Sequence, residues 1–325
     1  MMLAVLIYAG IDEAGYGPML GPLCVAATAF VLPQHDPSEG PPELWNLLQA
    51  AVCRKPRDRR RRVAVDDSKK LKGPNDGPGH PLRHLERAVL AFWPDDTPPP
   101  SDDTLLRGLG SEVPGRPWFT EGSALPLAHT TDQTRISHRR VRHAMERAGV
   151  RCEAMWCRVI DAAELNRSVA RSGNKADVNF NAAMGLIDRI WSRWPDQHPR
   201  VVIDRHGGRI RYARGLQRAL VGSTVDVVAE TPTLSRYLLS RGSSKLTVSF
   251  ALEADARFLP VALASMVAKY ARELLMLRLN RFFRAELPQL KPTAGYYGDA
   301  PRYVTEIKPV MRRLRLSPSQ LVRNV

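Results

Sequence analysis

The stretch "IDEAGYGPMLGP", Ile11–Pro22, closes an apolar run on two adjacent acids and follows them at once with three glycines and two prolines. The run before it, "LAVLIYAGI", reads as a strand, and "LCVAATAFVL" just after it reads as a second, rich in β-branched and apolar residues. Two strands this close, with no helix between them, form an antiparallel pair. A dinucleotide-binding glycine loop is thereby excluded, because such a loop must open a helix, whereas Pro18 and Pro22 lead into another strand. Adjacent strand residues point to opposite faces. Asp12 and Glu13 therefore reach one site only if the strand stops or twists there, which Gly15 and Gly17 allow.

With 325 residues, 44% of them hydrophobic, the chain has ample material for a buried core. It reads as one domain spanning residues 1–325. The formal net charge of +15 points to a polyanionic partner, nucleic acid first and an anionic membrane surface second. Cys24, Cys53, Cys152 and Cys157 show no metal-ligand spacing. The odd separation of Cys152 and Cys157 sends them to opposite faces of a strand, and a reduced, cytoplasmic chain is expected. The apolar opening lacks the basic segment of a signal peptide, and no other segment is long and apolar enough to span a membrane.

From about residue 33 to 149 the texture changes. "CRKPRDRRRR" is a charge run, "GPNDGPGHP" and "PDDTPPPSDD" are loop-like, and only "LRHLERAVLAFW" and "DQTRISHRRVRHAMERAG" read as helices. This Pro/Arg-rich part reads as inserted or peripheral. Beyond Gly149 strands and helices alternate: "CEAMWCRVI", then a helix in "NFNAAMGLIDRIWSRW", the strand "RVVID", a helix in "IRYARGLQRAL", and the strands "TVDVVAE" and "SSKLTVSFAL". A long helix starts at Pro260, a favoured first helical position, and runs to about Phe283, opening a helical C-terminal segment over 260–325. The pattern predicts an α/β layered domain with a mixed sheet of about five strands, the first two antiparallel, flanked by helices.

Asp204 closes "RVVID" just before His206, Gly207 and Gly208, which places a carboxylate at the carboxyl edge of a sheet, where α/β proteins bind ligands. Helical spacing sets Ser265, Lys269, Arg272, Glu273 and Met276 along one broad face. Glu273 then has two readings: a site residue, or an ordinary ion pair with Lys269 one turn away. His206 is a proton carrier beside Asp204 or an incidental turn residue, and "RKPRDRRRR" is a solvated loop or an additional nucleic-acid contact. If Asp12, Glu13, Asp204 and Glu273 converge, four carboxylates repel one another, and divalent cations remove the conflict. Two hard ions about 3.5–4 Å apart activate a water and stabilise the leaving oxygen of a phosphodiester. Oxygen ligands favour Mg²⁺, with Mn²⁺ able to substitute.

"GIDEAGYGPMLGPLCVAA" resembles the opening motif of type 2 ribonuclease H (ribonuclease HII), in which Asp-Glu-Ala-Gly leads through a Gly-basic-Gly step to Pro and a second Gly-Pro. In the same order, "DDSKKL" is similar to that family's Asp-Ser-Lys-Lys-Leu and "VVID" to its second-aspartate strand. "EADARFLPVALASMVAKYAREL" is similar to its segment of Asp, small residues, Ala-Lys and Arg-Asp, and "AGYYGD" to its Gly-Tyr-Gly-Thr. The resemblance touches about a third of the chain. It implies a ribonuclease H-like fold and metal-dependent cleavage of the RNA strand of RNA–DNA hybrids, or of ribonucleotides embedded in duplex DNA, leaving 3′-hydroxyl and 5′-phosphate ends. It makes Asp12, Glu13, Asp204 and Glu273 the catalytic acids of a two-metal Mg²⁺ or Mn²⁺ site. It further implies that Gly15, Tyr16 and Gly17 meet the 2′-hydroxyl side of the ribonucleotide, the group that separates RNA from DNA. The resemblance likewise implies that Tyr296 packs on the sugar, that Lys69 and Lys70 lie near the backbone phosphates, and that Ser265 and Lys269 support the same surface; a monomer is expected. This chain departs from the pattern in Glu273, matched to an aspartate of the family, in Tyr16 at the basic position, and in the second tyrosine Tyr297. The departures and the insertion keep two alternatives open: a junction or structured-DNA nuclease, or a weakly active homologue that binds hybrids.

Overall fold

The computed structural model describes residues 5–36, 39–74, 77–205 and 207–324. Strands β1 (Leu6–Ala14) and β2 (Leu23–Leu32) pair antiparallel from Leu6 opposite Leu32 to Ala14 opposite Cys24, as their spacing predicts. They are joined in chain order by β3 (Val52–Cys53), β4 (Val63–Ala64), β5 (Arg151–Ile160), β6 (Arg200–Asp204), β7 (Thr224–Glu230), β8 (Leu234–Arg241) and β9 (Ser244–Ala251). Among the described residues, seven of these form one mixed sheet in the order β5-β2-β1-β6-β9-β8-β7, while β3 and β4 pair with each other. At its centre β1, β6 and β9 run parallel. Their carboxyl ends therefore lie side by side.

Sequence reading passes over β8, "LSRYLLSR", because it has no β-branched residue and shows its alternation only once Ser235, Tyr237 and Leu239 are seen buried between β7 and β9. The expectation for the cysteines also fails. The β2–β5 register shifts between Ala29 and Phe30, which face Ala154 and Cys152, so Glu153 bulges out and the inside–outside parity flips. Cys152 and Cys157 consequently share one core, and all four cysteines are free and buried.

The insertion carries α1 (Leu44–Leu47), α2 (Ser68–Leu71), α3 (Arg83–Ala91), α4 (Asp102–Gly108) and α5 (Thr131–Arg147). After it come α6 (Ala162–Ser172), α7 (Lys175–Arg193), α8 (Ala213–Ala219), α9 (Ala254–Arg257), α10 (Leu259–Glu286) and α11 (Ala300–Arg313). One face of the sheet packs on α7 and α8, the other on α10, which crosses β1 and β2. That crossing is close: a Cβ at Gly10 would lie 2.2 Å from the Pro260 backbone, and Thr28 Oγ1 donates to the Pro260 carbonyl at 2.7 Å. Much of the insertion belongs to the same core. Leu85, Val89, Leu106 and Trp118 pack with Tyr270, Leu274 and Phe283 of α10. Polar groups cross the same boundary: fully buried Glu86 accepts from Leu127 N, Ala128 N and Tyr270 Oη, and Arg278 pairs with Asp102 and Asp103. Among the described residues, no helix is long and apolar enough to cross a membrane.

Candidate active site

Asp12 lies one residue beyond Ile11, which pairs with Ile203, so it stands level with Asp204 at the ends of adjacent parallel strands. Asp204 pairs in turn with Ala251, the last residue of β9. The chain then turns through Leu252 and through Glu253, held in the left-handed region at φ 51°, into α9. This turn aims the Ala254 N–H at Asp204 Oδ1, 2.8 Å away, and sets Asp255 beside it. Strands β1 and β6, with the turn from β9 into α9, thus deliver Asp12, Glu13, Asp204 and Asp255 to one edge.

The four interact electrostatically. Asp12 is held well above the usual carboxylate range, chiefly by burial and then by Glu13, with Asp204 adding to the effect. Burial also raises Glu13, with Asp204 and Asp255 pushing the same way, and raises Asp204, with Asp255 pushing further. Asp255 rises through burial and then through Asp67. Neutral donors and two lysines oppose these shifts: Ser265 donates to Asp12, Asn179 to Glu13, and Lys69 faces Glu13, Asp204 and Asp255, the last together with Lys70.

Ser265 Oγ also lies 3.0 Å from Ser68 Oγ at the start of α2. Asp67 caps that helix by accepting from Lys69 N at 2.9 Å, and Lys69 and Lys70 remain exposed. "DDSKKL", the first acid pair and α10 therefore meet through Asp12, Ser265 and Ser68.

Glu273 is not brought to this edge. It lies eight residues beyond Ser265 on α10, about 12 Å along the axis at 1.5 Å per residue. Its Oε1 is 2.9 Å from Lys269 Nζ and 3.3 Å from Arg272 Nη1. The ion-pair reading is the one realised, and the fourth acid of the cluster is Asp255. Asp255 escaped sequence reading although "SFALEADAR" carries the signal that marked Asp204, an apolar strand closing on acids. Asn179 also escaped it: it is buried on α7, bonded to Glu13, and its Oδ1 has no hydrogen-bond partner among the described residues.

Beside the acids runs the glycine loop. Gly15 has φ +85°, and a Cβ there would come within 2.6 Å of the Arg272 side chain and the Pro22 carbonyl. Arg272 Nη2 donates to Leu20 O at 3.3 Å and Ala294 O at 3.0 Å, while Met19 N and Leu20 N donate to Gly295 O. A second arginine, which sequence reading did not select, comes from the far end of the chain. Buried Arg323 donates to Gly15 O at 2.5 Å, Pro18 O at 3.1 Å and Gly21 O at 2.6 and 2.9 Å.

Tyr16 and Gly17 are exposed at the loop's tip, and Lys175 Nζ stands 4.6 Å from the Tyr16 ring centroid, so a cation faces the loop from α7. Tyr296 is half exposed, with Lys269 Nζ 6.0 Å and Arg272 Cζ 5.7 Å from its ring centroid; Tyr297 is more exposed. Lys269 and Tyr296 thus belong to the loop's support, and Ser265 to the acids. His206 lies outside the described residues.

For a hard divalent cation the donors fit in kind, being carboxylates that raise one another's pKa at a sheet edge. Among the described residues, no group of three or more His, Cys, Asp or Glu side chains is gathered closely enough to hold an ion as it stands.

No family model and no curated protein matches the chain. Solved structures do. One is the RNase HII of Archaeoglobus fulgidus in its complex with PCNA, 15% identical over 98% of this chain and 94% of that one, with a TM-score of 0.42. Another is the ribonuclease H2 of Pyrococcus horikoshii, 14% identical over 97% and 92%, with a TM-score of 0.44. A third is Bst-RNase HIII in complex with Mn²⁺, 16% identical over 99% and 67%, with a TM-score of 0.41.

Proposed function

We propose that this chain is a divergent type 2 ribonuclease H, an endonuclease that cuts the RNA strand of RNA–DNA hybrids or ribonucleotides embedded in duplex DNA, leaving 3′-hydroxyl and 5′-phosphate ends. The observation that carries this reading is the meeting of acids from two adjacent parallel strands, and from the short helix that follows a third, with a glycine loop braced by two arginines at one edge of the sheet. A cluster that only stabilised the fold would not gather carboxylates whose charges oppose one another.

In this reading Asp12, Glu13, Asp204 and Asp255 are the residues that would hold Mg²⁺ or Mn²⁺, which would supply an activated water and charge stabilisation at the leaving oxygen of the phosphodiester. Ser265 and Asn179 orient Asp12 and Glu13 by hydrogen bonds. Lys69 and Lys70, exposed beside the acids, attract the backbone phosphates of the substrate strand. The Gly15–Gly17 backbone, fixed from below by Arg272 and Arg323, presents its polar groups to the ribose 2′-hydroxyl, and Tyr296 packs against the sugar. Bracing matters because the difference between RNA and DNA at this position is one hydroxyl.

The test compares three labelled duplexes in Mg²⁺ and in Mn²⁺: RNA paired with DNA, DNA holding one ribonucleotide, and DNA throughout. Metal-dependent cuts beside ribonucleotides that disappear in Asp12→Ala are expected. Cutting of the all-DNA duplex would replace this reading with that of a structured-DNA nuclease, and binding without cutting would leave a hybrid-binding protein.

A further inference from the structure

The arginine run of the insertion borders the acid cluster. We infer that residues 54–62, together with the basic faces of α3 and α5, form a second surface for the phosphate backbone of the same duplex, away from the scissile bond. This rests on the nuclease reading and extends its footprint.

Residues 54–62 contain seven Lys or Arg and a single acid, Asp58. Arg62 takes up that acid, with its backbone N 2.9 Å and its Nη2 2.9 Å from the carboxylate. Arg57, Arg59 and Arg60 are exposed, and among the described residues none has a carboxylate partner. The loop's carbonyls are held by further cations. Arg87 Nη2 of α3 donates to Arg61 O at 2.6 Å, and Arg140 of α5 donates to Arg60 O at 3.0 Å and Ala50 O at 3.1 Å. The backbone is thus pinned from within by basic side chains, and the loop's own arginines face solvent.

The resulting crowding of like charge opposes folding. Arg87 is depressed by burial and then by Arg140, with Arg83 and Arg61 adding to it. His84 is pushed down to about 4, mainly by burial and further by Arg83, Arg87 and His129. A polyanion laid across this surface relieves the repulsion and gains counterion release.

Two features choose the duplex over an anionic membrane. First, the basic surface begins at the site: Arg54 Nη2 donates to Ala256 O at 2.6 Å, next to Asp255, and lies 3.3 Å from Asp66 Oδ1, two residues before Ser68. Second, residues 57–62 are only arginine and aspartate, with no aromatic or aliphatic side chain to enter a bilayer, while guanidinium forks match phosphate oxygens.

The experiment compares wild type with R57Q/R59Q/R60Q, which leaves the pinning residues Arg62, Arg87 and Arg140 in place. Binding is measured by anisotropy over a salt series on two RNA–DNA hybrids, of about one and about three helical turns, alongside vesicles containing phosphatidylserine. The expected result is that the salt slope on the long hybrid shrinks by about two to three, with affinity falling about tenfold or more, while binding and cleavage of the short hybrid stay at wild-type values. If the triple variant does not fold, R57Q and R60Q singly should each remove about one unit of slope. An unchanged slope on the long hybrid overturns the inference, as does loss of vesicle binding with unchanged hybrid affinity. A wild-type protein that cuts no ribonucleotide-containing duplex defeats the nuclease reading instead, which the short hybrid reports independently of the loop.

Discussion

Asp255 and Glu273 are carried by neighbouring helices, and the difference between them lies in what each faces. Asp255 adds to the charge that raises Glu13 and Asp204, whereas Glu273 neutralises Lys269 and Arg272 beneath the glycine loop. Asp255→Asn is therefore expected to lower cleavage about a hundredfold or more, the scale on which ångström misplacement of a reacting group acts. Glu273→Gln should keep cleavage within about tenfold of wild type while lowering thermal stability by about 1–3 kcal/mol, because two mostly buried cations lose a shared acceptor. Kinetics and melting measured on both variants decide the matter; the reverse pattern would return Glu273 to the metal site. Asp12, Glu13 and Asp204 were legible because an apolar strand ends on each, and the glycines that follow mark a sharp turn. The same signal precedes Glu253 and Asp255, but which of these two acids enters the cluster is decided by the left-handed φ of Glu253. A left-handed conformation at a glutamate is one that local propensity does not foretell.

Among the elements, the last few residues do more than end the chain. Arg323 is buried and donates to loop carbonyls, with its pKa pushed down to about 9 by burial and by nearby Arg272, so its charge is met by the dipoles of the loop it holds. Asn166 of α6 fixes the same segment by donating to Ser319 O and Val322 O and accepting from Asn324 N. Arg323→Ala should loosen the Gly15–Gly21 loop and lower cleavage of ribonucleotide-containing duplexes about ten- to a hundredfold, while metal-induced stabilisation persists because its hydrogen bonds go to loop carbonyls and not to the acids. Loss of the metal response together with cleavage would show that the tail supports the whole edge and not the loop alone. Nothing in "LSPSQLVRNV" announces this role, since its partners lie about 300 residues away in the chain. The long helix at Pro260 and the antiparallel opening pair were readable because each is a continuous periodic run. The place of the insertion in the common core was not, because its short helices bury their apolar faces only against α10.

At the scale of the whole molecule the acid edge links stability to pH and to cations. Asp12, Glu13, Asp204 and Asp255 all titrate above the ordinary carboxylate range in the folded chain, so between the ordinary and the raised values the folded chain binds more protons than the unfolded one. Stability from these groups therefore falls as pH rises through the window above about 4, and below it their contribution vanishes because both states are protonated. The metal-free protein thus carries a penalty at neutral pH, and Asp12→Asn should raise its melting temperature by a few degrees there and leave it unchanged at the acid end. A divalent cation that binds only the folded state opposes the same penalty, by about 2.7 kcal/mol at a hundred times its Kd. Melting followed across pH in EDTA, Mg²⁺ and Mn²⁺ should show cation stabilisation that is large at pH 8, shrinks towards pH 5 as protons compete, and is much reduced in Asp12→Asn. If melting is the same in EDTA and in saturating Mg²⁺ and Mn²⁺ at every pH, the acids are not a metal site, and the clustered carboxylates need another explanation.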